Sequence, residues 1–145
     1  GKTTIVSAIQ RLINSLYLPD PIKASSGHMV TAGLTVMSAS DLCHLYVNDY
    51  KLFLGYRNTA LLAIDDLGME SERIMKYGQE CYPISELLSY RYECRLFTIV
   101  TTNLPSSEIR PRYGDRMADR VNHMMQVVVM PDTNFRELSE TYNPI

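Results

Sequence analysis

Apolar residues recur at three- and four-residue steps in the opening segment of the chain, namely at Ile5, Ala8, Ile9, Leu12, Ile13 and Leu16. This spacing predicts an amphipathic helix over residues 3–17. Pro19 and Pro21 would end the helix, because proline cannot continue the backbone hydrogen bonds. Asp20 to Gly33 is rich in Ser, Gly and Pro and predicts a loop.

Two runs predict buried strands, a continuous apolar one from Ala60 to Ile64 and a largely apolar one from Leu96 to Val100 that contains Thr98. Neither run alternates with polar residues, which is typical of a strand buried on both faces of a parallel sheet. Leu34 to Met37 is a shorter strand candidate. Gln126 to Met130 would form a last strand, closed by Pro131.

Helical patterns separate these strands. Ser40 is positioned to cap a helix whose apolar face carries Leu42, Leu45, Tyr46 and Phe53. Glu72 to Glu93 is mostly helical in pattern, although Gly78 and Pro83 weaken it and Pro83 would open the better half. A short helix is predicted from about Asp115 to Met125. Strands that alternate with helices predict an α/β sheet with right-handed crossovers.

Composition narrows the class of protein. The 145 residues include 14 basic and 16 acidic side chains, a net charge of −2, and 46% are apolar. We expect one domain over residues 1–145, and the balanced charge excludes a histone-type nucleic-acid binder. No apolar run of about 18 residues and no leader is visible, which predicts a cytoplasmic protein without a membrane span. The cysteines predict reduced thiols in or near the core and are Cys43, Cys81 and Cys94.

Two polar groups suit a phosphate site, and parallel α/β sheets bind ligands at the carboxyl ends of their strands. Gly1-Lys2-Thr3-Thr4 opens the first predicted helix, where free N–H groups attract an anion, Lys reaches phosphates and Thr holds Mg²⁺. Asp65-Asp66 follows a predicted strand and offers one carboxylate for Mg²⁺ and one for an attacking water. The alternatives are a chance match or tag remnant at Gly1 and an ordinary strand-to-turn junction.

Two further groups follow along the chain. Asn103 ends the next predicted strand, and its amide could bond both a γ-phosphate and water, or simply begin a turn before Leu104 and Pro105. Arg116 and Arg120 share one face of the predicted last helix, as an arginine finger for a neighbour's phosphate would require. The alternative is a solvated face on which Arg116 pairs with Asp119.

The order of these four groups resembles that of the AAA+ ATPases of the DnaC helicase-loader and IstB transposition-helper group. The similarity is densest from Ala60 to Val121 and looser from Gly1 to Phe53. It is carried by Leu-Leu-Ala-Ile-Asp-Asp-Leu-Gly, Arg-Tyr-Glu at 91–93, Thr-Ile-Val-Thr-Thr-Asn-Leu-Pro and Gly-Asp-Arg-Met-Ala-Asp-Arg-Val. The resemblance implies a three-layer α/β fold with the parallel sheet of P-loop NTPases of the AAA+/ASCE type.

The resemblance also implies the ligands, ATP and Mg²⁺. Gly1, Lys2, Thr3 and Thr4 would bind the nucleotide, with Lys2 as the Walker A lysine and Thr3 as a ligand of Mg²⁺. Asp65 would be the Walker B metal carboxylate.

The catalytic roles follow in the same way. Asp66 would be the second Walker B acid, Asn103 sensor 1 and Arg120 the finger that acts on a neighbouring subunit, with Arg116 as the fallback. The second acid is often Glu in this family, so Asp66 predicts weak hydrolysis.

The family's first, central strand and the first half of Walker A are missing from this sequence. The resemblance therefore implies a fragment truncated at its N-terminus, with a gap between the Leu96 and Gln126 strands. Unpaired backbone groups beside such a gap would be costly. We expect compensation by a partner chain, a swapped strand or local disorder, and poor ATP binding by the fragment alone.

The leading hypothesis is an ATP-hydrolysing domain that acts in DNA replication as a helicase loader, or as a transposition helper. It would form a homo-oligomer through the ATP site and act on a replicative helicase or a transposase. Single-stranded DNA is a further candidate ligand, through the Ala24–Gly33 loop and Arg110, Arg112 and Arg116. The rival hypotheses are a non-catalytic P-loop adaptor and a small-molecule kinase on the same fold.

Overall fold

The computed structural model describes residues 1–16 and 33–130. In chain order its elements are α1 (Lys2–Leu16), β1 (Leu34–Ser38), α2 (Ala39–Asn48), α3 (Tyr50–Asn58), β2 (Leu61–Leu67), β3 (Ile74–Lys76), β4 (Gln79–Cys81), α4 (Pro83–Glu93), β5 (Phe97–Thr102), α5 (Ser106–Tyr113) and α6 (Asp115–Met124). The predicted helix stop at Pro19 and Pro21 lies outside the described residues, as does the predicted loop up to residue 32.

A parallel three-stranded sheet forms the centre of the fold, in the order β1-β2-β5. Ala63 of β2 packs with Val6 of α1 on one face of the sheet. Leu62 and Ile64 point to the other face and pack among residues of α2, α3 and α4. Both faces of β2 are therefore covered, which explains its unbroken apolar run. The predicted α/β class with a parallel sheet is confirmed, but the prediction of a buried strand is wrong for β5, which is mostly half-buried and carries Phe97 55% exposed at its start.

The helix predicted after β1 is in fact two helices. Ser38 rather than Ser40 is the N-cap of α2, and its Oγ accepts a hydrogen bond from the Asp41 N–H at 2.9 Å. Asp49 ends α2 and caps α3, because its carboxylate accepts the Leu52 N–H at 2.9 Å. A side chain that caps a new helix stabilises a break at that position.

The helix predicted from Glu72 to Glu93 is wrong in its first half. Residues 74–81 form the antiparallel hairpin β3–β4, whose turn holds Tyr77 at φ +52° and Gly78 at φ +78°. Two successive positive φ values are typical of the tight turns that join antiparallel strands. The second half is confirmed, since α4 begins at Pro83.

The segment after β5 differs from the prediction in two ways. A helix that was not predicted, α5, precedes the predicted last helix, which is confirmed as α6. Residues 126–130 form no strand, and Val127, Val128 and Val129 are 68%, 73% and 87% exposed. Backbone groups of a strand need a neighbour, and no described strand pairs with this segment or with the outer edge of β5. Compensation by a partner chain, a swapped strand or local disorder stays a prediction.

The three cysteines differ in how far their side chains are buried. Cys43 is buried and Cys81 half-buried, as predicted, whereas Cys94 is exposed at the end of α4.

In residues 1–16 and 33–130, no helix combines the length and the apolar character needed to cross a bilayer.

Candidate functional site

The start of α1 meets the carboxyl end of β2, although 62 positions separate the two contacting residues. The Thr3 hydroxyl donates to Asp65 Oδ1 at 3.3 Å. Lys2, the first residue of α1, is half-buried, and Thr4 is exposed. The Gly1 carbonyl accepts the Ile5 N–H at 3.2 Å, so the first helical turn begins there. The N–H groups of such a turn have no partner within the helix and suit an anion.

Thr101 of β5 completes the surroundings of Asp65. Its hydroxyl donates to Asp65 Oδ1 and accepts the Asp66 N–H at 3.0 Å. Both hydroxyl contacts use one carboxylate oxygen, and Asp65 Oδ2 has no hydrogen bond among the described residues. The carboxylate is therefore oriented but still has an oxygen available. Thr101 was not singled out in the sequence, where its position just before Thr102 and Asn103 was the only signal.

The Asp66 carboxylate, unlike its backbone N–H, makes no hydrogen bond among the described residues. Asp66 is exposed and its backbone is left-handed, with φ +57°, where the β2–β5 register shifts between Ile64 and Leu67. A bulge with a left-handed residue interrupts the regular pairing and alternation of a strand. The two neighbouring carboxylates thus lie in different environments, one half-buried against hydroxyls and one in solvent.

Asn103 directly follows β5 at the same edge of the sheet and is exposed. Thr102 holds the backbone on either side of it, since its hydroxyl donates to the Leu67 carbonyl at 2.6 Å and accepts the Leu104 N–H at 3.0 Å. The structure thus brings Thr3, Asp65 and Asn103 to one edge. Asn103 makes no side-chain hydrogen bond to Asp65.

Arg120, one of the two predicted arginines, is not at this edge. Arg120 donates to Glu93 at 2.8 Å, and its guanidinium lies 5.3 Å from the centre of the Tyr92 ring. Glu93 ends α4, and Arg91 of the same helix end contacts the amino ends of the strands. Arg120 therefore lies away from Asp65 of its own chain.

Arg116 is exposed and takes part in no ion pair among the described residues. The alternative pairing of Arg116 with Asp119 is wrong, because Arg110 donates to Asp119 at 2.7 Å and to Asp115 at 2.5 Å. Arg112 also contacts a carboxylate, that of Glu70. Two of the three arginines suggested for DNA contact are thus paired with acids. Residues 24–32 of the suggested loop lie outside the described residues.

Sequence reasoning also missed a buried acidic residue, Glu70. Its side chain accepts the Gly68 N–H at 2.8 Å and the Tyr113 hydroxyl, and lies 3.7 Å from an Arg112 nitrogen. Burial and the hydrogen bond to this carboxylate raise the pKa of Tyr113 above its ordinary value. No local pattern joins residues 43 positions apart, so the sequence held no signal for this contact.

The donor set at the edge fits a magnesium ion. The described residues contain no group of three or more His, Cys, Asp or Glu side chains arranged to hold a metal. Mg²⁺ does not need such a group, because it keeps several waters and binds one or two carboxylates together with substrate phosphates. The Thr3 hydroxyl and the Asp65 carboxylate are oxygen ligands of this type.

Neither protein-family models nor curated proteins give a match to this chain. Function is therefore inferred from the chemistry of the sheet edge.

Proposed function

We propose that the chain is a P-loop ATPase domain of the helicase-loader or transposition-helper type. The observation that carries the proposal is the contact between the Thr3 hydroxyl and the Asp65 carboxylate at the carboxyl end of β2. P-loop NTPases hold Mg²⁺ with a threonine or serine at the start of a helix and an aspartate at the end of a strand. Thr3 and Asp65 supply this pair from distant parts of the sequence.

The phosphates of ATP would bind at the first turn of α1. The free N–H groups there and the Lys2 ammonium group would neutralise phosphate charge, and they stabilise most strongly the charge that develops in the transition state. Thr3 and Asp65 would hold Mg²⁺, which supplies further neutralisation of the phosphate oxygens.

Asp66 and Asn103 would position the attacking water. Asp66 is exposed beside Asp65, so its carboxylate is free to accept a proton from water, and Asn103 follows the neighbouring strand. The aspartate side chain is one methylene shorter than the more usual glutamate. Slow hydrolysis is therefore expected.

The arginines of α6 would act on a second copy of the chain. Arg120 is bonded to Glu93, and neither Arg116 nor Arg120 contacts Asp65 of its own chain among the described residues, so a role at the phosphate would be filled in a homo-oligomer built through the ATP site. Arg116 is free to do this, whereas Arg120 would first have to leave Glu93. A replicative helicase or a transposase would be the larger partner, with single-stranded DNA as a candidate ligand.

The test is ATP binding and hydrolysis by the full-length protein and its Lys2→Ala variant, with Lys51→Ala as the matched control. Lys51 is an exposed lysine of α3. We expect Lys2→Ala to lower turnover at least about 100-fold, as loss of a transition-state charge does, and Lys51→Ala to leave it unchanged. Equal activity of the two variants would contradict the proposal.

A non-catalytic adaptor is the second candidate, favoured by the exposed, left-handed Asp66. It would bind ATP and hydrolyse little. Asp66→Glu separates the two functions, because a longer acid should raise turnover in an ATPase that Asp66 limits. An adaptor would show tight ATP binding and no turnover in either form.

A further inference from the structure

A buried polar cluster of Glu70, Arg112 and Tyr113 joins the turn after β2 to the end of α5. Glu70 is only 5% exposed, yet both of its carboxylate oxygens are paired, one with the Gly68 N–H at 2.8 Å and one with the Tyr113 hydroxyl. Arg112 lies 3.7 Å from the carboxylate and donates to the Glu70 carbonyl oxygen. The proposed reaction gives these residues no direct role.

On one side, the cluster holds the turn that carries Asp66. The Met69 N–H donates to the Asp66 carbonyl at 3.1 Å and closes this turn. Gly68 has φ +100°, and a Cβ there would lie 2.5 Å from the Leu104 side chain, so the turn also packs against the loop that follows Asn103. A displacement of either water-positioning residue would be transmitted to this packed turn.

On the other side, the cluster reaches the helix that carries the arginines. Tyr113 is the last residue of α5, and Gly114 at φ +83° separates it from α6. Arg110 of α5 bonds to both Asp115 and Asp119 of α6 across this break. The first turns of α6 are therefore linked to the last turn of α5 by two ion pairs.

Stability alone does not account for a carboxylate at position 70. Burying a charged group costs several kcal/mol, and well-packed apolar residues of similar volume are often at least as stabilising. The Nε of Arg112 is buried and has no acceptor among the described residues, so the cluster is not fully satisfied. The carboxylate instead fixes a geometry, because its two hydrogen bonds set the distance between the Gly68 backbone and the Tyr113 side chain.

We propose that Glu70, Arg112 and Tyr113 are positioning residues that couple the phosphate end of the nucleotide site to the arginines of α6, an inference that rests on the proposed function. Loss of the γ-phosphate would release Asp66 and Asn103, shift the turn at Gly68 and realign α6. A defect in the cluster should therefore appear in the site of the neighbouring subunit, which receives these arginines.

The test compares Tyr113→Phe with the matched variant Tyr77→Phe in the full-length protein. The first removes only the hydroxyl that binds Glu70, and the second removes a hydroxyl from a side chain that is 95% exposed. We expect Tyr113→Phe to lower kcat about tenfold with KM nearly unchanged, as a defect restricted to the transition state does. Tyr77→Phe should match the wild type.

Mixing subunits then separates coupling from simple loosening of the fold. Asp66→Asn subunits keep Lys2 and Thr3 for ATP binding but lack the carboxylate that accepts the proton from water, so their own site is inactive while their α6 arginines stay aligned. Mixing them with Tyr113→Phe subunits should therefore restore turnover in the Tyr113→Phe sites. Glu70→Gln, which keeps the side-chain volume, repeats the test if the phenylalanine variant melts early. Wild-type turnover by both cluster variants, or a loss that mixing does not restore, overturns the coupling and leaves the ATPase intact. Absence of Lys2-dependent hydrolysis in the wild type overturns the proposed function and the coupling with it.

Discussion

The two edges of the sheet use polar side chains in opposite ways. At the amino edge, Arg91 is fully buried and donates to the carbonyls of Arg57, Thr59 and Phe97 and to the Thr98 hydroxyl, at 2.6–2.9 Å. At the carboxyl edge, Asp65 is half-buried and keeps one oxygen free of hydrogen bonds among the described residues, while Asp66 and Asn103 are exposed.

The difference distinguishes polar groups that stabilise the fold from polar groups that remain available to bind a ligand. Four of the five N–H groups of Arg91 bond within the fold, so little donor capacity remains for a ligand. Desolvation lowers the pKa of Arg91 to about 10, and the side chain stays charged at neutral pH. The carboxyl edge instead keeps acceptors that the fold does not use. We therefore expect substitutions at the amino edge to cost stability and those at the carboxyl edge to cost activity.

The largest effect on stability is expected at Arg91. Arg91→Met keeps much of the side-chain volume but leaves three backbone carbonyls without their donors, at about 3–5 kcal/mol in free energy of unfolding. Urea denaturation measures this loss, with Arg11→Met on the exposed face of α1 as the control. A cost below about 1 kcal/mol would mean that the amino edge does not depend on this residue.

Asp65→Asn should have the opposite effect to Arg91→Met, with little change in stability and a large loss of ligand binding. Asparagine can still accept the hydroxyls of Thr3 and Thr101, so unfolding should change by only about 1 kcal/mol. The lost charge should abolish the rise in Tm that Mg²⁺ and ATP give to the wild type, since a ligand stabilises only the state that binds it. Thermal melts with and without Mg²⁺ and ATP measure both the stability of the variant and the rise in Tm that the ligands cause. An undiminished rise would remove Asp65 from the site.

Substitutions of the two arginines of α6 should have smaller effects on stability, and these effects should differ between Arg120 and Arg116. Arg120→Ala loses the contact with Glu93, which is worth about 0.5 kcal/mol because Glu93 is largely solvated. Arg116→Ala should leave stability unchanged. If a neighbour's site uses either residue, the corresponding variant should regain turnover when it is mixed with Lys2→Ala subunits. Arginine variants with full activity on their own would exclude a finger on this helix.

Cys43 and Cys94 differ most in burial, so their reactivity tests whether the core around α2 stays closed. Burial raises the pKa of Cys43 to about 12, the thiol of Cys43 is protected inside the core, and Cys94 is exposed after α4. A thiol reagent at pH 8 should therefore modify Cys94 at least about tenfold faster than Cys43, because the thiolate is the reactive form. Mass spectrometry of the labelled peptides gives the order, and faster labelling of Cys43 would show that the packing around α2 opens.

Much of the fold was predictable because local patterns determined it. The apolar runs of β2 and β5 predicted strands, and the 3.6-residue spacing of α1 predicted a helix. The predictions of helices and strands were wrong where the outcome depends on a single residue or on the presence of a neighbouring strand. Asp49 splits a helix by capping the next one, Tyr77 and Gly78 turn a helical pattern into a hairpin, and residues 126–130 have no strand beside them within the described part of the chain.

The amino-acid sequence by itself determined which polar residues follow which strand, and thus that Asp65, Asp66 and Asn103 share an edge of a parallel sheet. Only the tertiary structure decided which of them touch. Thr3 and Thr101 share one oxygen of Asp65, Arg120 turns to Glu93, and Glu70 is buried against Tyr113. Periodicity encodes which face a residue takes, whereas contacts between distant residues depend on how separate elements pack.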